Sequence, residues 1–340
     1  MHRRVVLSRL ALVIVWGSLA AAMPMARAGD SGPAVVAVRA ILRGPAAVDS
    51  FRSPAAVLVR GDVFLVADRL RHRLVLFDDG GRCRGPIALA PGTEGLPCEP
   101  KAIEADARGR MFVVDAVDRD IRVLNSRGSR LGTLRSPFGG DERLMPQSIA
   151  IAPDGSLWVL YVGDRNELVV FDAGGEPRAE QPTGVGSLLT SPSAIAISPD
   201  GATIAVADPG GDDQLLLFEP DGRLRRTFGA HGEADDDVSF AAHLAFGPGN
   251  TLWVTDAMRH SIGVFGSDGR YLGRIGGFGT GPGQLLYPAG CEFIDGDRLL
   301  VVERGGQRCQ VLEVTLGSEE QRSLTRVDRG TKRVVPKSIG

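Results

Sequence analysis

The hydrophobic positions of this chain recur with a period of about 46 residues. Each period contains a Pro-led apolar stretch, a Gly turn, a second apolar stretch ending in Asp, a polar loop, and an aliphatic run closed by Phe or Leu. The leading residues of the six copies are Pro54, Pro100, Pro146, Pro192, Ala241 and Pro288. Copies in register predict a repeat architecture, because such units bury a core only by stacking on their neighbours.

The pattern inside each copy predicts short antiparallel strands. Stretches such as 63–67 (VFLVA) and 252–255 (LWVT) are β-branched or aromatic and are bounded by turn residues. Pairs such as Asp154-Gly155 follow the first strand, and Asp268-Gly269 follows the third, where a tight hairpin needs positive φ. With a weaker fourth stretch, each copy is one propeller blade. The sequence therefore predicts an all-β, six-bladed propeller of four-stranded antiparallel blades.

The sixth copy has no obvious fourth strand before the chain becomes polar. Residues 34–44 (AVVAVRAILRG) precede the first copy and are similar to fourth strands such as 269–276 (GRYLGRIG). We expect this N-terminal segment to be the outer strand of blade six, which closes the ring and covers an exposed edge. Residues 322–327 (RSLTRV) are the alternative closing strand.

The first 28 residues have the features of a secretory signal peptide. Arg3, Arg4 and Arg9 precede an apolar run over 10–22, and an Ala-Arg-Ala site ends at Ala28. The run is shorter than the roughly 20 apolar residues that a membrane span needs. We therefore expect a signal peptide at 1–28, a propeller at 29–318, a basic flexible tail at 319–340, and a periplasmic or secreted mature protein without a transmembrane span.

Charge limits the class of partner. Removing residues 1–28 takes away four Arg and no acid, which leaves 35 basic and 41 acidic side chains. A net charge of about −6 disfavours nucleic acid as a partner, because nucleic-acid binding requires a basic surface. The partners expected are a protein, a peptide or a glycan of the cell envelope.

The four cysteines are an even number in a chain with an export signal, which favours disulfides. Proximity in sequence suggests the pairs Cys83–Cys98 and Cys291–Cys309. The connectivity stays open, because Cys291 and Cys309 lie in the first and third strands of one blade with a strand between them.

Two columns of the repeat resemble the NHL repeat. In the first copy, Val66-Ala67-Asp68 is followed by residues 72–77 (HRLVLF), and in the fifth copy Val254-Thr255-Asp256 is followed by 260–265 (HSIGVF). The resemblance covers about residues 34–314 and implies the six-bladed fold. Proteins with this repeat include exported binding domains, scaffolds, RNA-binding propellers and an amidating lyase, so the resemblance implies no single function.

Chemistry-bearing residues near the propeller axis are few. The amidating-lyase branch holds zinc with three His, whereas the first strands here carry only His243, and a catalytic zinc site needs three protein ligands. Glu104 and Glu292 share one first-strand column, but calcium takes six to eight oxygens. We therefore assign no catalytic residue, no metal ligand and no cofactor, and keep calcium at the channel as an open alternative.

The loops between second and third strands gather basic residues on one face of the ring. Loops on a rigid scaffold are where binding residues usually lie. We interpret this face as the candidate binding face, with these members: Arg69, Arg71, Arg119, Arg165, Arg259, His260 and Arg304.

The sequence thus favours an exported, monomeric propeller that acts as a binding or protein-interaction module. The alternative is a metal-dependent lyase, lactonase or hydrolase whose active site lies at the channel mouth and uses His243 with Glu104 or Glu292. Bound calcium or zinc in the purified protein would favour the enzyme.

Overall fold

The structure is a computed structural model that describes residues 32–45, 49–92, 94–134, 136–138 and 144–317. The expected signal peptide at 1–28, the basic tail at 319–340 and the alternative closing strand at 322–327 lie outside these ranges. No helix within them is long and apolar enough to cross a membrane.

The described chain forms six antiparallel sheets and no α-helix. Blades one and two contain β2 (Pro54–Arg60), β3 (Val63–Asp68), β4 (Arg73–Asp78), β5 (Cys83–Ala88), β6 (Pro100–Ala105), β7 (Met111–Asp115), β8 (Asp120–Leu124) and β9 (Arg130–Leu134). Blades three and four contain β10 (Leu144–Ile151), β11 (Leu157–Gly163), β12 (Glu167–Phe171), β13 (Ala194–Ile197), β14 (Ile204–Ala207), β15 (Asp213–Phe218) and β16 (Leu224–Ala230). Blades five and six contain β17 (Ala241–Gly247), β18 (Thr251–Asp256), β19 (Ser261–Phe265), β20 (Tyr271–Gly276), β21 (Pro288–Phe293), β22 (Arg298–Glu303), β23 (Arg308–Thr315) and β1 (Ala34–Leu42).

Single 3₁₀ turns lie at Arg69–Arg71, Gly186–Leu188 and Pro248–Asn250. The first strand of each blade is the innermost, and it contacts the first strands of both neighbouring blades around the ring. The six-bladed propeller predicted from the repeat is confirmed.

The N-terminal strand closes the ring as predicted. Strand β1 runs antiparallel to β23 from the pair Ala34↔Thr315 to the pair Leu42↔Cys309. Blade six is therefore built from both ends of the repeat array, so that its sheet has the order β1-β23-β22-β21. The edge of β23 is covered by its own chain instead of being exposed.

The hydrophobic core consists of six separate clusters, one between each pair of neighbouring blades. Between blades six and one, the Phe64 and Phe77 rings stack with centroids 5.3 Å apart. Between blades five and six, Trp253 is fully buried, meets Phe293 edge-on at 5.0 Å, and donates its indole N–H to Thr251 Oγ1. Each blade therefore buries both of its faces against neighbours, as the repeat requires.

Blade three has three strands, where the other blades have four. Its outer position holds only a bridge between Phe171 and Pro177, and proline has no N–H with which to continue a ladder. The Gln181 amide replaces part of the missing strand: its Oε1 accepts from the Val170 N–H at 2.7 Å and its Nε2 donates to the Val170 carbonyl at 3.0 Å.

The predicted disulfides are wrong, because all four cysteines are free thiols in the structure. Cys83 packs in the cluster between blades six and one, whereas Cys98 packs between blades one and two. Cys291 and Cys309 likewise lie on opposite faces of blade six. Neighbours in sequence were the wrong guide, because residues of one blade alternate between its two faces.

Five of the six innermost strands begin with a β-bulge directly after the leading residue. In β6, for example, Pro100 pairs with Asp115 and Ala102 pairs with Val114, so that Lys101 is the extra residue. The other bulge residues are Ala55, Gln147, Ala242 and Ala289. Bulges redirect side chains, and these five positions surround the axis at one end of the ring.

Candidate functional site

The end of the ring that carries the second-to-third-strand loops also carries the connections into the first strands, because Pro54 pairs with Asp68 and Pro100 with Asp115. We call this end the upper face. The acidic column of the repeat lies just beneath it and is buried. Asp208, for example, accepts from the backbone N–H groups of Thr190 and Ser191 at 2.7 and 2.6 Å.

The same arrangement recurs in other blades, where Asp68, Asp115, Asp256 and Glu303 accept from N–H groups one or two residues before the first strand of their own blade. Buried Arg73, Arg122 and Arg308 also pair with three of these acids. The acids of this column stabilise the connections into the first strands, and their carboxylate oxygens already accept hydrogen bonds from the protein.

The polar column four residues beyond each acid joins neighbouring blades. His72 Nδ1 lies 3.0 Å from the Cys98 carbonyl, Asn166 Nδ2 donates to the Leu189 carbonyl at 2.8 Å, and His260 Nδ1 accepts from the Tyr287 N–H at 3.0 Å. Both His72 and His260 have φ near +54°, which a tight loop requires. His260, a member of the predicted binding face, thus links blade five to blade six through this hydrogen bond.

Most other members of the predicted binding face also have partners within the chain. Arg69 pairs with Glu99 at 2.8 Å, and Arg71 lies 3.4 Å from Asp49. Arg259 donates to Ser239 Oγ and to two backbone carbonyls. Arg165 pairs with Glu167 at 3.0 Å and lies over the Phe138 ring, and Arg119 is a positive-φ residue of its loop. These guanidinium groups stabilise loops of the scaffold.

Arg304 is different: it is an exposed residue, and its guanidinium has no carboxylate partner among the residues that the structure describes. Desolvation by partial burial and the nearby charge of Arg69 lower the pKa of Arg304 from its ordinary value. Arg304 follows β22 of blade six and Arg69 follows β3 of blade one. Neighbouring blades therefore bring the two cations together on the upper face.

Lys101, on blade two, adds a third cation at the mouth of the channel. As the bulge residue of β6 it donates Nζ–H to Gln147 Oε1 at 2.5 Å. Gln147 donates in turn to the Ser193 carbonyl at 3.3 Å, and Ser193 Oγ donates to the Ala241 carbonyl at 2.5 Å. This polar belt joins blades two to five. The bulge residues of the remaining blades are alanines, which offer no acceptor.

Burial lowers the pKa of Lys101 to about 8, and the charge of Arg69 acts in the same direction. No carboxylate pairs with Lys101 in the described part of the chain. We call Arg69, Lys101 and Arg304 the mouth cations. Two of these three, Lys101 and Arg304, have no carboxylate partner among the residues that the structure describes, which is the arrangement of a site that receives an anion.

The channel below the mouth contains two glutamates that interact electrostatically. Burial raises the pKa of Glu104 to about 7, and burial together with the Glu104 charge raises the pKa of Glu292. Glu292 also accepts from the Val59 N–H of blade one at 2.8 Å. The two glutamates belong to β6 and β21, which flank blade one, and burial keeps their carboxyl groups protonated more readily than an exposed glutamate.

His243 lines the same channel. Burial lowers its pKa to about 4, so that the imidazole is neutral above that pH. Its ring packs against Gly290, and Nδ1 lies 3.5 Å from the Cys291 N–H. His243 does not join the two glutamates in a group with converging ligand atoms.

The described residues contain one acidic group with converging oxygens, formed by Asp115, Asp118 and Asp120. The Arg122 guanidinium already contacts Asp115 and Asp118, so a cation is supplied by the protein itself. This group is consequently a structural ion-pair network of blade two.

Exposed aromatic side chains cluster on the upper face beside the mouth cations. Phe278 and Tyr287 are 72% and 45% exposed, and their ring centroids lie 5.0 and 4.5 Å from that of His260. The Arg304 N–H donates to the Tyr287 carbonyl at 2.9 Å, which places this patch next to the cation. Met258 and Phe240, 58% and 43% exposed, lie in the adjoining loops of blade five. Exposed apolar clusters of this kind mark interaction sites.

The comparisons with known proteins identify the fold. No family profile matches the chain. A segment of 69 residues is 33% identical to the RING finger protein nhl-1 of Caenorhabditis elegans, which is 20% of this chain and 7% of that protein. The chain therefore spans a small part of that curated relative.

Solved structures that are similar to this chain are propellers of low sequence identity. A gluconolactonase from Xanthomonas campestris has a TM-score of 0.58 at 18% identity, covering 78% of this chain and 88% of its own. Regucalcin, a calcium-binding protein from Agrobacterium tumefaciens, has a TM-score of 0.59 at 14% identity, covering 84% and 96%. Hydrazine synthase from Kuenenia stuttgartiensis has a TM-score of 0.55 at 13% identity, covering 78% and 97%. Such likeness shows the fold alone.

Sequence reasoning missed Lys101, Gln147 and the aromatic patch. Lys101 and Gln147 are one repeat apart, each directly after the leading Pro, so they occupy one column of the repeat. The signal of that column is weak because the other blades have Ala or Ser there. Only the bulge reveals that this position points at the channel mouth.

Proposed function

We propose that this protein is an exported propeller of the NHL-repeat type that binds an acidic glycan of the cell envelope on its upper face. The observation that carries the proposal is the set of mouth cations, two of which lack a carboxylate partner among the described residues. Arg is well suited to carboxylates because its planar fork donates two parallel hydrogen bonds. Uronic acids supply such a carboxylate on each sugar.

The aromatic patch supports a sugar as the carrier of that charge. Phe278 and Tyr287 present ring surface beside Arg304, and aromatic rings combine a large contact area with low conformational cost on binding. An acidic oligosaccharide places apolar C–H faces and carboxylates side by side. This alternation matches the patch and the mouth cations better than a uniformly charged polymer does.

The test is isothermal titration of a purified oligogalacturonate into the protein at two salt concentrations. We expect binding that weakens with salt, and Arg304→Gln should weaken it about 10- to 100-fold, since a hydrogen bond between charged groups contributes about 1.5–3 kcal/mol. Phe278→Ala should weaken binding as well.

Arg165→Gln is the matched control, because Arg165 lies on the same face but is paired with Glu167; it should change the affinity less than about 2-fold. A neutral maltooligosaccharide should not bind. Equal affinity of the wild type and Arg304→Gln would contradict the proposal, and binding of an acidic peptide in place of the glycan would reassign the ligand class.

A second candidate function is calcium-dependent hydrolysis of a lactone in the channel. The supporting observation is the electrostatic coupling of Glu104 and Glu292, in a fold that a gluconolactonase and regucalcin share. Two carboxylates supply at most four of the six to eight oxygens that calcium takes, so water or backbone carbonyl oxygens would have to complete the shell. Calcium titration of the wild type and Glu104→Gln separates the two functions: the binding module predicts no saturable calcium heat, whereas the hydrolase predicts heat that the variant loses.

A further inference from the structure

Lysine is rare in this chain, and its placement is selective. Only three of the 39 Lys and Arg residues are lysines, and two of them, Lys332 and Lys337, lie in the C-terminal segment outside the described residues. Lys101 is therefore the one lysine between residues 1 and 331. Arg occupies the other basic positions there, including those in the buried ion pairs of the described residues. The chain thus has Arg at nearly all of its basic positions, but Lys at the channel mouth.

The difference between the two side chains is the ability to lose a proton. Arg stays charged in proteins, whereas Lys becomes a neutral amine with a free electron pair when burial or a nearby cation favours deprotonation. Lys101 meets both conditions, because it is half-buried and lies near Arg69. Its pKa of about 8 leaves a useful fraction of the amine neutral near physiological pH.

The bulge of β6 and the hydrogen bond to Gln147 fix the position of the Lys101 amine and leave it able to contact a ligand. The bulge of β6 directs Lys101 to the mouth, and Gln147 Oε1 accepts one of its N–H groups at 2.5 Å. A lysine amine has three hydrogens when charged, so at least one other direction is available to a ligand. The charged group that acts on the Lys101 amine is Arg69, which is paired with Glu99, and the charge of Arg69 acts in turn on Arg304 of blade six.

We propose that Lys101 is a nucleophilic amine that forms an imine with an aldehyde or ketone bearing a carboxylate. The inference rests on the proposed binding site, because Arg304 and Arg69 would hold the carboxylate while the carbonyl carbon faces Lys101. A reducing-end uronic acid in its open-chain form and a simple oxo acid both have this chemistry.

The step balances without an oxidant or reductant. The neutral Lys101 amine donates its electron pair to the carbonyl carbon, the C=O π electrons move to oxygen, and one proton passes from the nitrogen to that oxygen to give a carbinolamine. The hydroxyl then takes a proton from solvent and leaves as water while the nitrogen loses its second proton to solvent, and a C=N bond replaces C=O. One carbonyl compound and one amine give one imine and one water. Gln147 orients the amine by accepting its hydrogen bond.

The test traps the imine with glyoxylate and sodium cyanoborohydride, followed by peptide mass spectrometry. We expect carboxymethyl-lysine at Lys101 at least 10-fold faster than at Lys332 or Lys337, with a rate that saturates with glyoxylate. The rate at Lys101 should rise between about pH 7 and 9, whereas the rate at a lysine with the ordinary pKa near 10.4 should still rise above pH 9. Lys101→Arg should lose this adduct and keep the melting temperature.

Arg304→Gln should slow trapping at Lys101 about 10-fold by weakening the hold on the carboxylate, while Arg165→Gln should leave the rate unchanged. Trapping at Lys101 no faster than at the tail lysines would overturn the proposal. Titration with glycolate, which has the carboxylate but no carbonyl, separates the two failures. Glycolate binding without trapping refutes the imine and leaves the anion site standing, whereas the absence of both refutes the anion site as well.

Discussion

Removing the anchoring side chain of the closing strand provides a sensitive test of the ring. Leu42, the last residue of β1, is 9% exposed and packs with Phe51 and Val57 in the cluster between blades six and one. Replacing a buried Leu by Ala costs about 2–5 kcal/mol, and a position at the end of a strand belongs near the lower limit. We therefore expect Leu42→Ala to lose about 2–3 kcal/mol of unfolding free energy.

For a domain of this size, 1 kcal/mol shifts Tm by about 2 °C, so the expected loss is about 4–6 °C by scanning calorimetry. Val36→Ala is the matched control in the same strand, because Val36 is 58% exposed; it should change Tm by no more than about 1 °C. If Leu42→Ala melts together with Val36→Ala and the wild type, β1 is not docked in solution, and the closure of the ring by the N-terminal strand is refuted.

Four further results are expected. Asp208→Ala should lose about 2–4 kcal/mol, because two backbone N–H groups lose their acceptor, and a chemical denaturation midpoint equal to that of the wild type would contradict this. His260→Ala should increase amide exchange at Tyr287 with little change in the other blades, since the imidazole accepts that N–H. Because burial raises the pKa of Glu104 to about 7 in the folded protein, the contribution of protonated Glu104 to stability is complete below about pH 4.5 and is lost as pH rises through about 7. Glu104→Gln should therefore melt higher than the wild type at pH 8 and similarly at pH 5. A difference in melting temperature that is the same at both pH values would refute the raised pKa. Thiol titration of the denatured protein without reductant should count four free cysteines, and a count of zero would contradict the structure.

The sequence predicted the fold well because the repeat encodes it redundantly. The strands, the Gly turns and the closing strand follow from hydrophobic spacing that recurs six times, so a local irregularity in one copy does not hide the pattern. The turn glycine Gly128 is an example: its φ is +83°, and a Cβ there would lie 2.1 Å from Ile87 Cγ2. Positions of this kind require glycine, so the turn can be recognised in the sequence.

The candidate site was harder to predict because it depends on which face of a blade each side chain takes. The basic residues of the upper loops are indistinguishable in sequence. In the structure, however, Arg259 donates its hydrogen bonds to loop carbonyls, while Arg304 has no carboxylate partner among the described residues. The cysteine pairs failed for the same reason. Lys101 depends on a one-residue bulge, whose effect on side-chain direction no hydrophobic period reveals.

The proposed function requires that the channel mouth receives an anion. Diffraction at a wavelength that excites iodine, from a crystal soaked in sodium iodide, locates bound anions directly by their anomalous signal. We expect an iodide within contact distance of Lys101 and Arg304, and its loss in crystals of Arg304→Gln. Iodide peaks elsewhere on the surface with none at the mouth would contradict it.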